Sequence, residues 1–131
     1  MSVGYLACSF DMLNIGHLDL IDQARGLCDR LVVGVLTDEA VERAEGRAPV
    51  MPLAERTALI SHVRGVDEVT VHDTAPEPGS GVKLVLIDDD GSGPVSVREI
   101  TLESRRETAS LALQAALRSA PAAATAEPIS A

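Results

Sequence analysis

Basic residues are scarce: there is a single Lys, Lys83, and 11 Lys plus Arg stand against 20 Asp plus Glu, for a formal net charge of -9. A phosphate backbone approaching such a chain meets a repulsive field, so nucleic acid is excluded as an expected partner. Cysteine is nearly absent. Cys8 and Cys28 belong to no C-x-x-C pair or His/Cys cluster, so neither a disulfide framework nor a structural zinc site is expected. No apolar run approaches the ~20 residues that span a bilayer, and the first residues carry no basic leader; a cytoplasmic protein without membrane association is the expectation. Trp is missing, and Tyr5 and Phe10 are the only Tyr and Phe, which leaves few side chains able to stack on a planar ligand.

What remains is an apolar-rich chain with clear periodicity. Its 131 residues suffice for one domain, placed at residues 1–118, and the Ala/Pro-rich stretch 119–131 reads as a flexible tail. Val3 to Ala7 is a short apolar run. From Gly16 to Leu27, Leu18, Ile21, Ala24 and Leu27 recur at helical spacing, joined by Leu20 and Cys28. Leu31 to Leu36 is unbroken apolar sequence, the pattern of a strand buried on both faces. Thr37 caps a short helix through Arg43, and Pro52 opens a second through Val63. Asp67 to His72, Lys83 to Ile87 and Val95 to Leu102 read as further strands, and Glu103 to Arg118 as a last helix. Strands alternating with helices predict an α/β fold, a Rossmann-like parallel sheet of about five strands with helices on both faces.

In such a sheet, ligands gather at the carboxyl ends of the strands. The stretch Cys8-Ser9-Phe10-Asp11-Met12-Leu13-Asn14-Ile15-Gly16-His17 lies at one of them, where a strand ends and a helix begins. A helix N-terminus presents unpaired N–H groups and about half a positive charge, a natural phosphate seat. Gly16 admits a ligand close to the backbone, and the His17 imidazole can donate to a phosphoryl oxygen as charge develops there. His62 and His72 stand apart from this turn; His62 falls at a helix C-terminus, where it complements the dipole. The acids Asp88 to Asp90 lack the alternating spacing of a calcium loop, and no protein metal site is expected.

The stretch from Ser9 to Glu39 resembles the nucleotidyltransferase superfamily with the signature G-x-F-D-x-x-H-x-G-H, and within it the glycerol-3-phosphate and ethanolamine-phosphate cytidylyltransferases. The likeness continues through "GRAPVMPLAERTALISHVRGVDEVTVHD", where those enzymes carry P-V-x-P-x-x-E-R and then V-D-x-V. The resemblance implies transfer of CMP from CTP to a small phosphate- or phosphonate-bearing acceptor, with release of pyrophosphate and with Mg²⁺ accompanying the triphosphate. By position it implies catalytic roles for His17, Asn14 and Arg105, and nucleotide contacts from Cys8, Ser9, Phe10, Asp11, Gly16, Arg56, Asp89 and Ser110. Asn14 stands on the first His of the signature and Arg56 on the Arg of E-R. Arg105 and Ser110 stand on the Arg and first Ser of the family's C-terminal R-T-x-G-I-S-[ST]-T. Homodimers are common in the family, and the resemblance is compatible with a homodimer here.

Four departures temper that assignment. Cys8 replaces the first Gly of the signature, and Asn14 replaces a His. The loop "DTAPEPGSG" is too short for the family's acceptor-binding helix, and the Asp88 to Gly91 turn lacks the aromatic of a G-D-D-W-like turn. Two alternatives follow: the same chemistry with ATP, as in adenylyltransferases that carry T-x-G-H, or a catalytically impaired nucleotide-binding or scaffold relative.

Overall fold

The computed structural model of the chain describes residues 1–74, 81–89, 91, 93–105 and 115–117. The order of elements is β1 (Ser2–Cys8), α1 (Ile15–Arg25), β2 (Arg30–Leu36), α2 (Asp38–Glu45), α3 (Leu53–Ser61), β3 (Glu68–His72), β4 (Val82–Asp88) and β5 (Ser96–Leu102). All five expected strands are present, in one sheet of order β3-β2-β1-β4-β5. The expected last helix and the tail lie mostly outside the described residues; 115–117 are helical.

Side-chain alternation along the strands divides the core. Leu6 of β1, Leu31, Val33 and Val35 of β2, and Leu84 and Leu86 of β4 face Leu20, Ile21 and Ala24 of α1 and Ile60 of α3. Each Leu, Ile or Val among them contributes about 1.5–3 kcal/mol by leaving water. Leu36, one step out of phase on β2, points to the other face and packs with Ala40, Val41 and Ala7. Helices therefore cover both faces, α1 and α3 on one and α2 on the other.

Two expectations need correction. Leu18 and Leu27, assigned by spacing to the buried stripe of α1, are 42% and 44% exposed, whereas Gly16, Asp19, Leu20, Ile21 and Ala24 are buried. The buried stripe is rotated toward residues 16, 20 and 24, and the apolar count alone did not fix its centre. The sheet, second, is mixed rather than all parallel. β1, β2 and β3 run parallel, but β4 is antiparallel to β1, with Ser2 opposite Asp88 and Leu6 opposite Leu84. β5 turns back beside β4, so it shares the direction of β1. The physical reason lies in the short connection from His72 to Val82: a parallel crossover takes a dozen or more residues, usually with a helix, whereas an antiparallel return starts from the end already reached.

Candidate functional site

The turn between β1 and α1 is held in an unusual backbone path. Phe10 and Met12 both have positive φ, 51° and 52°, a region costing a non-glycine residue about 1 kcal/mol or more. Three contacts offset that strain. The Phe10 side chain is 1% exposed in the core. The Asp11 carboxylate, also buried, accepts the main-chain N–H groups of Val50 and Met51 at 2.8 and 2.9 Å. Asn14 Nδ2 donates to the Met12 carbonyl at 3.0 Å.

Asn14 is the N-cap of α1, with the extended backbone expected of that position. Its Oδ1 accepts from Gly16 N at 2.8 Å and from His17 N at 3.4 Å. The amides that sequence reasoning offered to a phosphate therefore hold an internal oxygen, and an anion seated there would displace the carboxamide. In return, the Asn14 main-chain N–H donates to His17 Nδ1 at 3.2 Å, closing a capping box. Because Nδ1 accepts, the neutral ring carries its proton on Nε2. Nε2 has no hydrogen-bond partner among the described residues. Burial lowers the His17 pKa, partly countered by the Asp11 charge, so at neutral pH the ring is a neutral Nε2–H donor. Its ring and that of Phe10 have centroids 5.6 Å apart in an edge-on arrangement.

Beneath the turn, Arg56 of α3 is fully buried. Nε donates to the Met51 carbonyl at 2.8 Å, Nη1 to the carbonyls of Ser9 and Leu36 at 2.7 Å each, and Nη2 to Asp38 Oδ1 at 2.6 Å. The guanidinium thus ties together the ends of β1 and β2, the start of α2 and the Val50–Met51 segment. It supports the turn from inside and does not face solvent. Cys8 packs against the core, and burial pushes its thiol pKa up.

Serial position brings Ser9, Phe10, Asp11, Asn14, Gly16 and His17 around one turn, and the fold brings Arg56 of α3 beneath it. The remaining candidates lie elsewhere. Arg105, just beyond β5, donates its main-chain N–H and its Nη2 to the two Asp19 oxygens, both at 2.7 Å. Residues two apart on a helix do not face each other, so this anchors Arg105 on a different side of α1 from His17. Arg105 holds the Asp19 carboxyl well below the usual carboxylate range, and Gln23 adds a further hydrogen bond. Asp89 follows β4, and its main-chain N–H and C=O pair with Met1. Because β4 is reversed, that turn sits at the start of β1, roughly 20 Å along the strand from the α1 turn. The expectation that Asp89 approaches a base beside His17 is corrected accordingly. Ser110 lies outside the described residues.

Sequence reasoning missed Asp19, Asp38 and the Val50–Met51 amides. Asp19 had a signal, an acid inside a buried helical stripe, which calls for a cation. The role of the 50–51 amides had none, because it depends on a contact between segments distant in sequence. Among the described residues no group of three or more His, Cys, Asp or Glu side chains could hold a metal ion, and both Asp11 oxygens are taken by amides. The described residues do not form a protein cage for Mg²⁺. A groove of about 420 Å³ on the outer side of α1, bordered by Ile15, Leu18, Asp22, Arg25, Val63 and Arg64, does not include His17. Among the described residues no helix is long and apolar enough to cross a membrane.

A family model described as cytidylyltransferase-like matches residues 5–91. The bifunctional protein HldE of Acidiphilium cryptum is 42% identical over 72 residues, covering 54% of this chain and 15% of that protein. Ethanolamine-phosphate cytidylyltransferase of Arabidopsis thaliana is 46% identical over 65 residues, covering 50% of this chain and 15% of its own length. The chain therefore spans 15% of the length of each of these two relatives. Among solved structures, a lipopolysaccharide core biosynthesis protein from Thermoplasma volcanium matches with a TM-score of 0.50 and 31% identity, over 53% of this chain and 56% of that one.

Proposed function

Because this chain belongs to the cytidylyltransferase-like family, we propose that it is a nucleotidyltransferase that moves CMP from CTP to a small phosphate- or phosphonate-bearing acceptor and releases pyrophosphate. The observation that carries the reading is the His17 ring, held by the Asn14 N–H so that a neutral Nε2–H stands as a donor where α1 opens. A donor in that place stabilises the negative charge that develops on the α-phosphoryl oxygens as the acceptor oxygen bonds to phosphorus and pyrophosphate departs. The main-chain turn positions that donor, with Arg56 and Asp11 fixing the turn from below. Any Mg²⁺ arrives with the triphosphate, held by phosphate and water rather than by a cage of side chains.

A second reading, a nucleotide-binding domain that does not turn over, is favoured by a specific observation. The reversal of β4 carries Asp89 to the far end of the sheet, and Arg105 is committed to Asp19. The test is a panel of CTP, ATP, GTP and UTP with Mg²⁺ against glycerol phosphate, ethanolamine phosphate and a simple phosphonate, read by pyrophosphate release beside calorimetric binding. Pyrophosphate from CTP with one acceptor supports transfer of CMP. A signal from ATP alone replaces CTP by ATP, and binding without product for any acceptor selects the second reading.

A further inference from the structure

Among the described residues, Asp11, Asp19 and Arg56 are the buried charged side chains. Asp11 and Arg56 hold the β1–α1 turn from below, whereas Asp19 takes no part in that turn. Its Oδ2 accepts from the Arg105 main-chain N–H at 2.7 Å, from Arg105 Nε at 3.4 Å and from Gln23 Nε2 at 2.9 Å, and its Oδ1 accepts from Arg105 Nη2 at 2.7 Å. Gln23 Nε2, one turn further along α1, also donates to the Glu103 carbonyl at 2.8 Å. The segment that leaves β5 is thereby gripped at two successive turns of α1. The Asp19 side chain is 3% exposed and that of Arg105 67%, so the carboxylate is the inner, fixed half of the grip.

Stability alone does not account for this carboxylate. Apolar side chains of the same volume would hold a helix to the end of a strand as well as a buried ion pair does, because taking the charges out of water offsets their attraction. What a carboxylate with several fixed donors adds is one definite geometry. The opening of α1 is where that matters. Of residues 15–19 only Gly16 and Asp19 are buried, and Gly16 has no side chain to pack, while Ile15 and Leu18 are 46% and 42% exposed. His17 itself is half-buried beside the Phe10 ring. The apolar anchors Leu20, Ile21 and Ala24 all lie further on. The tilt of the first turn against the sheet therefore depends chiefly on Asp19, and a hydrogen-bonded helix passes any displacement there to His17, about 3 Å away along the axis.

We propose that Asp19 is a positioning residue for the transfer reaction: its grip on Arg105 and Gln23 sets the tilt of the α1 opening and thereby the place of His17 Nε2. The inference rests on the nucleotidyltransferase reading. Arg105 then serves the reaction through Asp19 and not by touching the triphosphate. A donor that stabilises developing charge must stand about 2.7–3.1 Å from the oxygen on which that charge appears, and a misplacement of about 1 Å costs on the order of 100-fold in rate. Ground-state binding is less exacting, so kcat is the quantity at stake and KM is not.

Asp19→Asn, Arg105→Ala and the double variant would be compared with the wild type in the pyrophosphate assay, with circular dichroism to establish that each is folded. The expected result is a fall in kcat of about tenfold for each single variant, no further fall in the double variant, and a KM for CTP within about twofold of the wild type. The loss caused by Asp19→Asn should disappear once His17 is already Ala. Arg105→Lys, which keeps the charge but not the two-pronged grip, serves if a variant does not fold, and is expected to show the same split between kcat and KM. An unchanged kcat in Asp19→Asn overturns the proposal, as do additive losses in the double variant. So does a KM that rises about tenfold in Arg105→Ala but not in Asp19→Asn, which would put Arg105 on the nucleotide. Nitrogen NMR of the His17 ring is a second readout that needs no turnover: Asp19→Asn should shift its signals and spare those of His62 and His72. Unchanged His17 signals overturn the proposal even where kcat falls. A wild type that forms no product with any acceptor withdraws the nucleotidyltransferase reading, and the ring signals then decide by themselves whether Asp19 places His17.

Discussion

His17 is the residue on which the proposed chemistry turns. If its Nε2–H stabilises the transition state, His17→Ala lowers kcat by roughly 100-fold with a smaller change in KM, read in the pyrophosphate assay; an unchanged kcat removes that role. Its pH behaviour follows from the lowered pKa. The folded state binds the proton less readily than the unfolded chain, so this group's contribution to stability is complete above the ordinary His value near ~6.5 and is lost as pH falls below it. The donor form persists through the same range, and the acid limb of the rate profile should lie below ~6.5. Arg56, which the family alignment made a nucleotide contact, makes a different prediction. Arg56→Ala leaves the carbonyls of Ser9, Leu36 and Met51 without their donor inside the fold and should destabilise by about 3 kcal/mol or more in chemical denaturation. A loss of nucleotide binding with unchanged stability would return Arg56 to the site.

At the scale of elements, α1 depends on contacts at both of its sides. Asn14→Ala removes the cap on Gly16 and His17 and should lower stability by about 1 kcal/mol, measured by urea unfolding; no change would mean that solvent caps the helix equally well. The Asp19–Arg105 pair joins α1 to the end of β5. Since the Asp19 carboxyl is held below its usual range, its contribution is present above about pH 4 and is lost as pH falls further. Arg105→Ala should therefore shift acid unfolding to higher pH, followed by circular dichroism between pH 2 and 5, while the variant's stability becomes less pH-dependent below about 4. The elements themselves were largely legible: the strands at Ser2–Cys8, Arg30–Leu36, Glu68–His72, Val82–Asp88 and Ser96–Leu102 each coincide with an apolar run within a residue or so. Their directions were not, because an apolar run such as Lys83 to Ile87 has the same pattern whichever way it enters the sheet.

At the scale of the whole molecule, charge dominates. With 20 acids against 11 bases, self-repulsion opposes the compact state, and salt shortens its range from about 30 Å at 0.01 M to about 10 Å at 0.1 M. The ion pairs that salt also weakens are mostly exposed, such as Arg25–Asp67 and Arg98–Asp88, and each is worth little. Raising NaCl from about 10 to 200 mM should therefore raise Tm. A fall would show that the surface pairs outweigh the net charge.

The sequence by itself determined the five strands and the crowding of Phe10, Asp11, Asn14, Gly16 and His17 at one turn, since these follow from short-range spacing along the chain, and its motif blocks carried the family resemblance. The Asn14 cap on Gly16 and His17 is also local, an N-cap within three residues that the pattern of the turn already carried. Only the tertiary structure decided that Arg56 is an internal strut and that Asp89 belongs to the opposite end of the sheet, because both depend on the direction or approach of segments distant in sequence, which hydrogen bonding and the length of the His72 to Val82 connection settle and local pattern does not encode.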